Sequence, residues 1–169
     1  MTIDTDLITV AECDNFEEKL SNFDFEFSEK LTILPSNFDS AKSRSELQNV
    51  AEVSTVKKLL RSKDIEVIDL LESDKKKYVH NYDWEWVAPT FYIANLLQES
   101  AVNVMLGVVA NYVTDFLKGK TGNKVKFEFV VKRTAKTLYS KITYSGPIDN
   151  FRIEEVMNKI LKERKNEQE

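Results

Sequence analysis

Residues able to do nucleophilic, metal or acid–base chemistry are few in this chain. It has one cysteine, Cys13, and one histidine, His80. An internal disulfide, a cysteine-cluster metal site and a multi-histidine site are therefore excluded, and a Ser-His-Asp triad would have to use His80. A Cys–His nucleophile is weakly supported, because nothing beside Cys13 would lower a thiol pKa. A paired-carboxylate hydrolase would need two acids in one pocket, and Asp69, Glu72, Asp83 and Glu85, with His80, are the set that a hairpin could bring together. The GKTG of residues 119–122 follows a helical pattern and lacks the leading glycine of a phosphate loop. No cofactor and no metal is implied.

Two other patterns point to binding. Lys118, Lys120, Lys124, Lys126, Lys132, Arg133, Lys136 and Lys141 cluster around a two-stranded pattern, with Tyr139 on the outer face beside Lys141; such a surface could follow a phosphate backbone. The formal net charge of −4 argues against it. The second pattern is an aromatic line. In a strand Tyr78, His80, Tyr82, Trp84 and Trp86 project to one face, either as a stacking platform or as cover for the core. Aromatic side chains dominate ordinary cores, so burial of Trp84 and at least one tyrosine is the expectation.

The elements that must position these residues follow from periodicity. Residues 87–117 carry only Glu99 and Asp115 as charges, and Pro89 suits a first helical turn, so one long apolar central helix is predicted over about 89–117. Gly107 inside it implies a backbone crossing close by. A run of this length is long enough for the roughly 20 residues of a membrane span, but Gln98, Glu99, Ser100, Asn103 and Asn111 lie within it, and no constitutive span is expected.

Leu7–Val10 reads as a first strand and Phe16–Leu20 as a brief helix capped by Asp14 or Asn15. The alternation of Phe23, Phe25 and Phe27 with Asp24 and Glu26 reads as a strand returning at Leu31–Leu34. Ser43 and Glu46 form a capping box for an amphipathic helix near 45–61, with Lys57, Lys58 and Arg61 on a solvated face. Val125, Phe127, Phe129 and Val131 line one face of a hairpin whose second strand places Leu138, Ile142 and Tyr144 across from them. Ile153, Val156, Met157, Ile160 and Leu161 form the stripe of a last amphipathic helix.

The fold class that results is α+β, with a mostly antiparallel sheet packed on the central helix, a C-terminal β-hairpin and an amphipathic helix. Residues 1–164 form a single domain, with 86–89 as the one point of subdivision, and 165–169 are a polar tail. The acidic N-terminus lacks the basic patch and apolar run of a secretory signal, so a cytoplasmic location is expected. Residues 1–29 hold nine acids against Lys19, and residues 118–144 hold eight bases against Glu128. These regions either face each other or face different partners. The functional expectation is a non-enzymatic accessory protein that binds another protein or its own copy. A nucleic-acid-binding module using the 118–141 hairpin is the second reading, and the hydrolase the third.

Overall fold

A computed structural model describes residues 8–13, 16–26, 28, 30–72, 78–79, 85–93, 103–105, 107–108, 111, 124–132, 139–147, 152, 155–156 and 158–159. Its centre is the predicted hairpin, β8 (Lys124–Lys132) against β9 (Tyr139–Pro147). The antiparallel register places Phe127 opposite Tyr144 and Phe129 opposite Ile142, as the alternation requires. Val125, Phe127, Phe129 and Val131 are all buried on one face. Val130 and Tyr139 are buried as well, in a different cluster. The sheet is therefore covered on both sides.

Seven strands make this sheet. The order is β1 (Ile8–Glu12), β9, β8, β7 (Thr90–Ile93), β2 (Leu31–Leu34) and β4 (Val67–Asp69), while β6 (Glu85–Val87) also pairs with β8. The sheet is mixed rather than mostly antiparallel: β2–β4, β6–β8 and β7–β8 are parallel, and β1–β9, β8–β9 and β2–β7 antiparallel. A separate parallel pair joins β3 (Asn49–Val50) to β5 (Tyr78–Val79).

The central-helix expectation is corrected at its start. Residues 90–93 are strand, and a short run of Thr, Phe, Tyr and Ile is a good strand sequence. It is apolar on both faces because both faces of its sheet are covered, a pattern that periodicity alone cannot separate from a buried helix. Pro89 is not a helix start. Val87 is paired with Lys126 and Phe91 with Phe129, so three residues (88–90) oppose two (127–128). That extra residue is a bulge, where a proline lacking its N–H is tolerated. The chain thus stays in the same sheet across 86–89. Helix does follow at Asn103–Met105, Gly107, Val108 and Asn111, with Met105 fully buried, but no helix of the predicted length is shown, and much of 94–123 lies outside the described residues. Among the described residues no helix is long and apolar enough to cross a membrane.

One face of the sheet carries Leu31, Ile33, Val67, Phe91, Ile93, Phe129 and Ile142, packed with Val53, Val56 and Leu60 of α2 (Val53–Ser62), with Met105 and with Val156. Val156 and its helical neighbours at 155, 158 and 159 fit the predicted last helix. The other face carries Tyr92, Val130, Leu34 and Tyr139 under Phe16 and Leu20 of α1 (Phe16–Asn22) and under Phe23 and Phe38. Phe16 is the hub there, its ring 4.8 Å from Tyr92, 4.9 Å from Tyr139 and 5.4 Å from Phe38. Ring pairs at such distances add about 0.5–1.5 kcal/mol each beyond their area burial.

The predicted Phe23–Phe27 strand is not formed over its described residues. Phe25 N–H donates to the Leu20 carbonyl and Asp24 N–H to that of Ser21, with Asp24 at φ 58°. This left-handed cap ends α1. A hairpin back onto β2 has no edge to use, since β4 and β7 occupy both. Asp64, at φ 59°, ends α2 the same way, with Ile65 N–H on the Leu60 carbonyl.

The helix expected at 45–61 begins later. Arg44–Glu46 is a single 3-10 turn, and Leu47 and Val50 are buried from extended chain. The Ser43 side chain makes no cap bond, and the Glu46 carboxylate accepts the Lys42 N–H instead.

Among the described residues Gly107 does not mark a close crossing: a Cβ added there meets no atom within 4 Å beyond its chain neighbours and its own helix backbone. Gly107→Ala should therefore stabilise the fold by about 0.5–1 kcal/mol through helix propensity, seen as a higher urea midpoint at unchanged slope. A loss of stability would show that the position is crowded after all.

Candidate functional site

The face of the hairpin that carries Lys126, Glu128, Tyr139 and Lys141 is the one expected to bind phosphate. It is largely covered. Beside the ladder lies a shallow cleft lined by Leu34, Pro35, Ser36, Phe38, Asp39, Thr90, Glu128, Val130 and Lys141, with about 20 Å³ of space. That is room for one water-sized group. Its polar floor is a chain of charges. Lys141 Nζ donates to Asp39 Oδ2 and lies 3.7 Å from Glu128 Oε2. Lys126 Nζ is 3.1 Å from Glu128 Oε1, Thr90 Oγ1 lies 3.5 Å from Oε2 of the same carboxylate, and Lys19 Nζ donates to the Asp39 carbonyl at 2.8 Å.

Burial acts to lower the Lys141 pKa, but the hydrogen bond to Asp39 and the charges of Glu128 and Asp39 outweigh it, and the net shift is upward. The ammonium therefore stays charged at neutral pH, which removes it as a nucleophile or general base. Tyr139 is buried rather than exposed beside Lys141. Its hydroxyl donates to Glu17 of α1, and burial, then the Glu17 bond, hold the phenol well above its ordinary 10.0. It cannot stack on a base from there. Lys124 is exposed and Lys132 partly so, at opposite ends of β8, and Arg133 and Lys136 lie outside the described residues. Acidic and basic segments do meet in places: β1 pairs with β9, Glu17 meets Tyr139, and Cys13 N–H donates to the Tyr139 carbonyl.

A second cluster was not anticipated by the helical pattern. Lys57, read as solvated, is buried with its Nζ 3.1 Å from Asp69 Oδ2 and 3.4 Å from Glu72 Oε1. Asp69 Oδ1 accepts from Asn49 Nδ2 at 3.1 Å and from Leu71 N–H at 3.0 Å. Arg61 reaches Glu72 at 3.6 Å and the Val67 carbonyl at 3.4 Å. This network fastens α2 to β4 and β3. Asp69 and Glu72, two acids of the hydrolase reading, are thus brought to one ammonium, with Asp69 engaged there as a buried structural counter-ion. His80 and Asp83 lie outside the described residues, as does the side chain of Glu85. Among the described residues no group of three or more His, Cys, Asp or Glu could hold a metal ion.

Of the aromatic line, the backbone of Tyr78 is in β5 and that of Trp86 in β6, which belong to different sheets. The line is therefore not one face of one strand. Tyr82, Trp84 and the side chains of Tyr78 and Trp86 lie outside the described residues, and with them the expected burial of Trp84.

Removing Lys57 alone leaves Asp69 buried without its counter-ion, so Lys57→Met should cost about 3–5 kcal/mol in urea unfolding, against about 0.5 or less for Lys58→Met on the exposed side. Tyr139 and Lys141 predict an alkaline effect. Both folded-state pKa values lie above the ordinary 10.0 and 10.5, so above about pH 10 the unfolded chain releases these protons first and stability falls as pH rises. The fall should be shallower in Tyr139→Phe, as measured by unfolding at stepped pH. The chain matches no protein-family model, no curated protein and no solved structure.

Proposed function

We propose that this chain is a non-enzymatic cytoplasmic module that acts by binding another protein. The observation that carries this reading is the internal neutralisation of the hairpin's basic face. Glu128 serves both Lys126 and Lys141, Asp39 also serves Lys141, and Tyr139 is buried on Glu17. A phosphate arriving on that face would have to displace carboxylates already in place. It would meet Asp39 and Glu128 before it met an uncompensated lysine. Asp69, one acid of the hydrolase reading, is committed to Lys57, Asn49 and the Leu71 N–H. What remains is a folded scaffold whose exposed periphery is available to a partner.

The test is a titration of labelled single- and double-stranded oligonucleotides, read by anisotropy. Phosphate binding falls by orders of magnitude between about 50 and 200 mM salt, and no such binding is expected here. Native mass spectrometry of the purified chain should show a protein, not nucleic acid, as co-purifying material. Tight, salt-sensitive oligonucleotide binding that weakens in a Lys124→Glu, Lys132→Glu variant would replace this proposal with the nucleic-acid reading.

A further inference from the structure

We propose that residues 36–48 form a strap that fills a partner-binding seat of its own chain, and that a partner segment with an acid directly after an aromatic residue displaces Phe38 and Asp39 from it; this rests on the protein-binding function above. The strap is closed on itself. Ser36 donates to the Gln48 carbonyl through both its N–H and its Oγ, and Asn37 donates Nδ2 to the Glu46 carbonyl while its Oδ1 accepts the Gln48 N–H. Within the strap the Asn37 carbonyl accepts the Ala41 N–H and the Glu46 carboxylate the Lys42 N–H. Its two ends therefore meet at one neck, the geometry of a compact surface loop that can swing as a unit.

The contacts that hold it down are of another kind. Between Ser36 and Glu46 Phe38 is the one buried side chain, with its ring 5.4 Å from Phe16 and 5.7 Å from Phe23. Lys19 Nζ stands 5.9 Å from the same ring centre and donates to the Asp39 carbonyl, and Lys141 Nζ donates to the Asp39 carboxylate. Arg44 adds a second clasp, donating to the Phe23 and Asp24 carbonyls and lying 4.2 Å over the Phe25 ring. The Asp39 side chain is 55% exposed, so each of its ionic contacts shifts the closed population by about fivefold or less. The cleft of about 20 Å³ runs between strap and sheet, with Pro35, Ser36, Phe38 and Asp39 on one wall and Thr90, Glu128, Val130 and Lys141 on the other.

What the seat selects follows from what occupies it. Two aromatic rings with two ammonium groups beside them match an aromatic side chain followed at once by a carboxylate. A partner carrying that pair exchanges like for like: its ring replaces Phe38 against Phe16 and Phe23, and its carboxylate replaces Asp39 against Lys19 and Lys141. Glu128, 3.7 Å from Lys141, disfavours a more highly charged anion there. The strap competes as a tethered ligand, so binding to the closed chain is weakened by the fraction that is open.

The probe is a labelled peptide, Ser-Asn-Phe-Asp-Ser-Ala, which copies residues 36–41 and is titrated against the full chain by anisotropy. It should bind wild type weakly and Asp39→Ala about threefold or more tightly, because that variant loosens the strap and leaves the seat intact. Lys141→Met also loosens the strap but removes one ammonium of the seat, so it should bind the peptide less well than wild type; Lys19→Met gives the same test if that variant does not fold. Peptides with alanine for the phenylalanine, or lysine for the aspartate, should not bind. Occupancy should speed trypsin cleavage after Lys42 and Arg44, whereas a ligand bound over a closed strap would slow it. No binding to Asp39→Ala, no gain over wild type, equal binding of the altered peptides, or slower cleavage on binding would overturn the proposal. A protein that co-purifies with wild type, is retained equally by Asp39→Ala and Lys141→Met and is not displaced by the peptide would overturn the seat while leaving the protein-binding function standing. Salt-sensitive oligonucleotide binding with no protein partner would overturn both.

Discussion

Strand β8 is bonded along both edges and covered on both faces, and the rest of the described fold takes its place from that constraint. Along one edge it runs the length of β9; along the other it holds β6 and then β7, separated by the bulge at 88–90. A strand with no free edge cannot shift register without moving every neighbour. A slip of one residue would also send Phe127 and Phe129 to the face that Val130 now occupies. The two hydrophobic clusters therefore depend on one ladder. The first lies under α2 and the second under α1, and each is assembled from alternate residues of the same strands.

Charge is arranged around that ladder in two different environments. On the α1 side, Lys19, Asp39, Lys141, Glu128 and Lys126 form a partly solvated chain across the turn at 36–40 and the two hairpin strands, and its members neutralise one another. On the α2 side, Lys57 and Asp69 are buried and hold each other with help from Asn49. A buried pair of this kind adds little net stability compared with apolar residues of the same shape, but it fixes which segments may pack together, because either partner alone is strongly unfavourable there. Both networks use charges for cohesion. On the hairpin's α1-side face Lys126 and Lys141 each already meet a carboxylate of the fold.

The two ends of the sheet differ in the same physical terms. At β4 the carbonyl of Val67 is met by Arg61 and the strand is short and buried; β1 is a longer strand, β-branched at its start, whose residues from Thr9 to Glu12 are exposed.

The hairpin, the first strand, the brief helix from Phe16 and the strand at Leu31–Leu34 were legible because each is a local pattern of period two or 3.6 with recognisable ends, and the α+β class follows from them. So did the buried alternation of Val125, Phe127, Phe129 and Val131. Thr90–Ile93 was not legible, since a strand covered on both faces loses its alternation and reads like part of an apolar helix. The end of α1 at Asp24 was hidden for another reason: Phe23, Asp24 and Phe25 alternate like a strand, and what decided otherwise was that β4 and β7 already fill both edges of β2. Lys57 shows the same division. Its place on the polar side of α2 is set by the sequence, but whether that side meets water or Asp69 depends on where β4 comes to rest. Local sequence therefore determined which segments extend, which coil and where the charges lie. Only the tertiary structure decided which charges are consumed inside the fold and which strands lie side by side, because those depend on pairings between segments far apart in the chain.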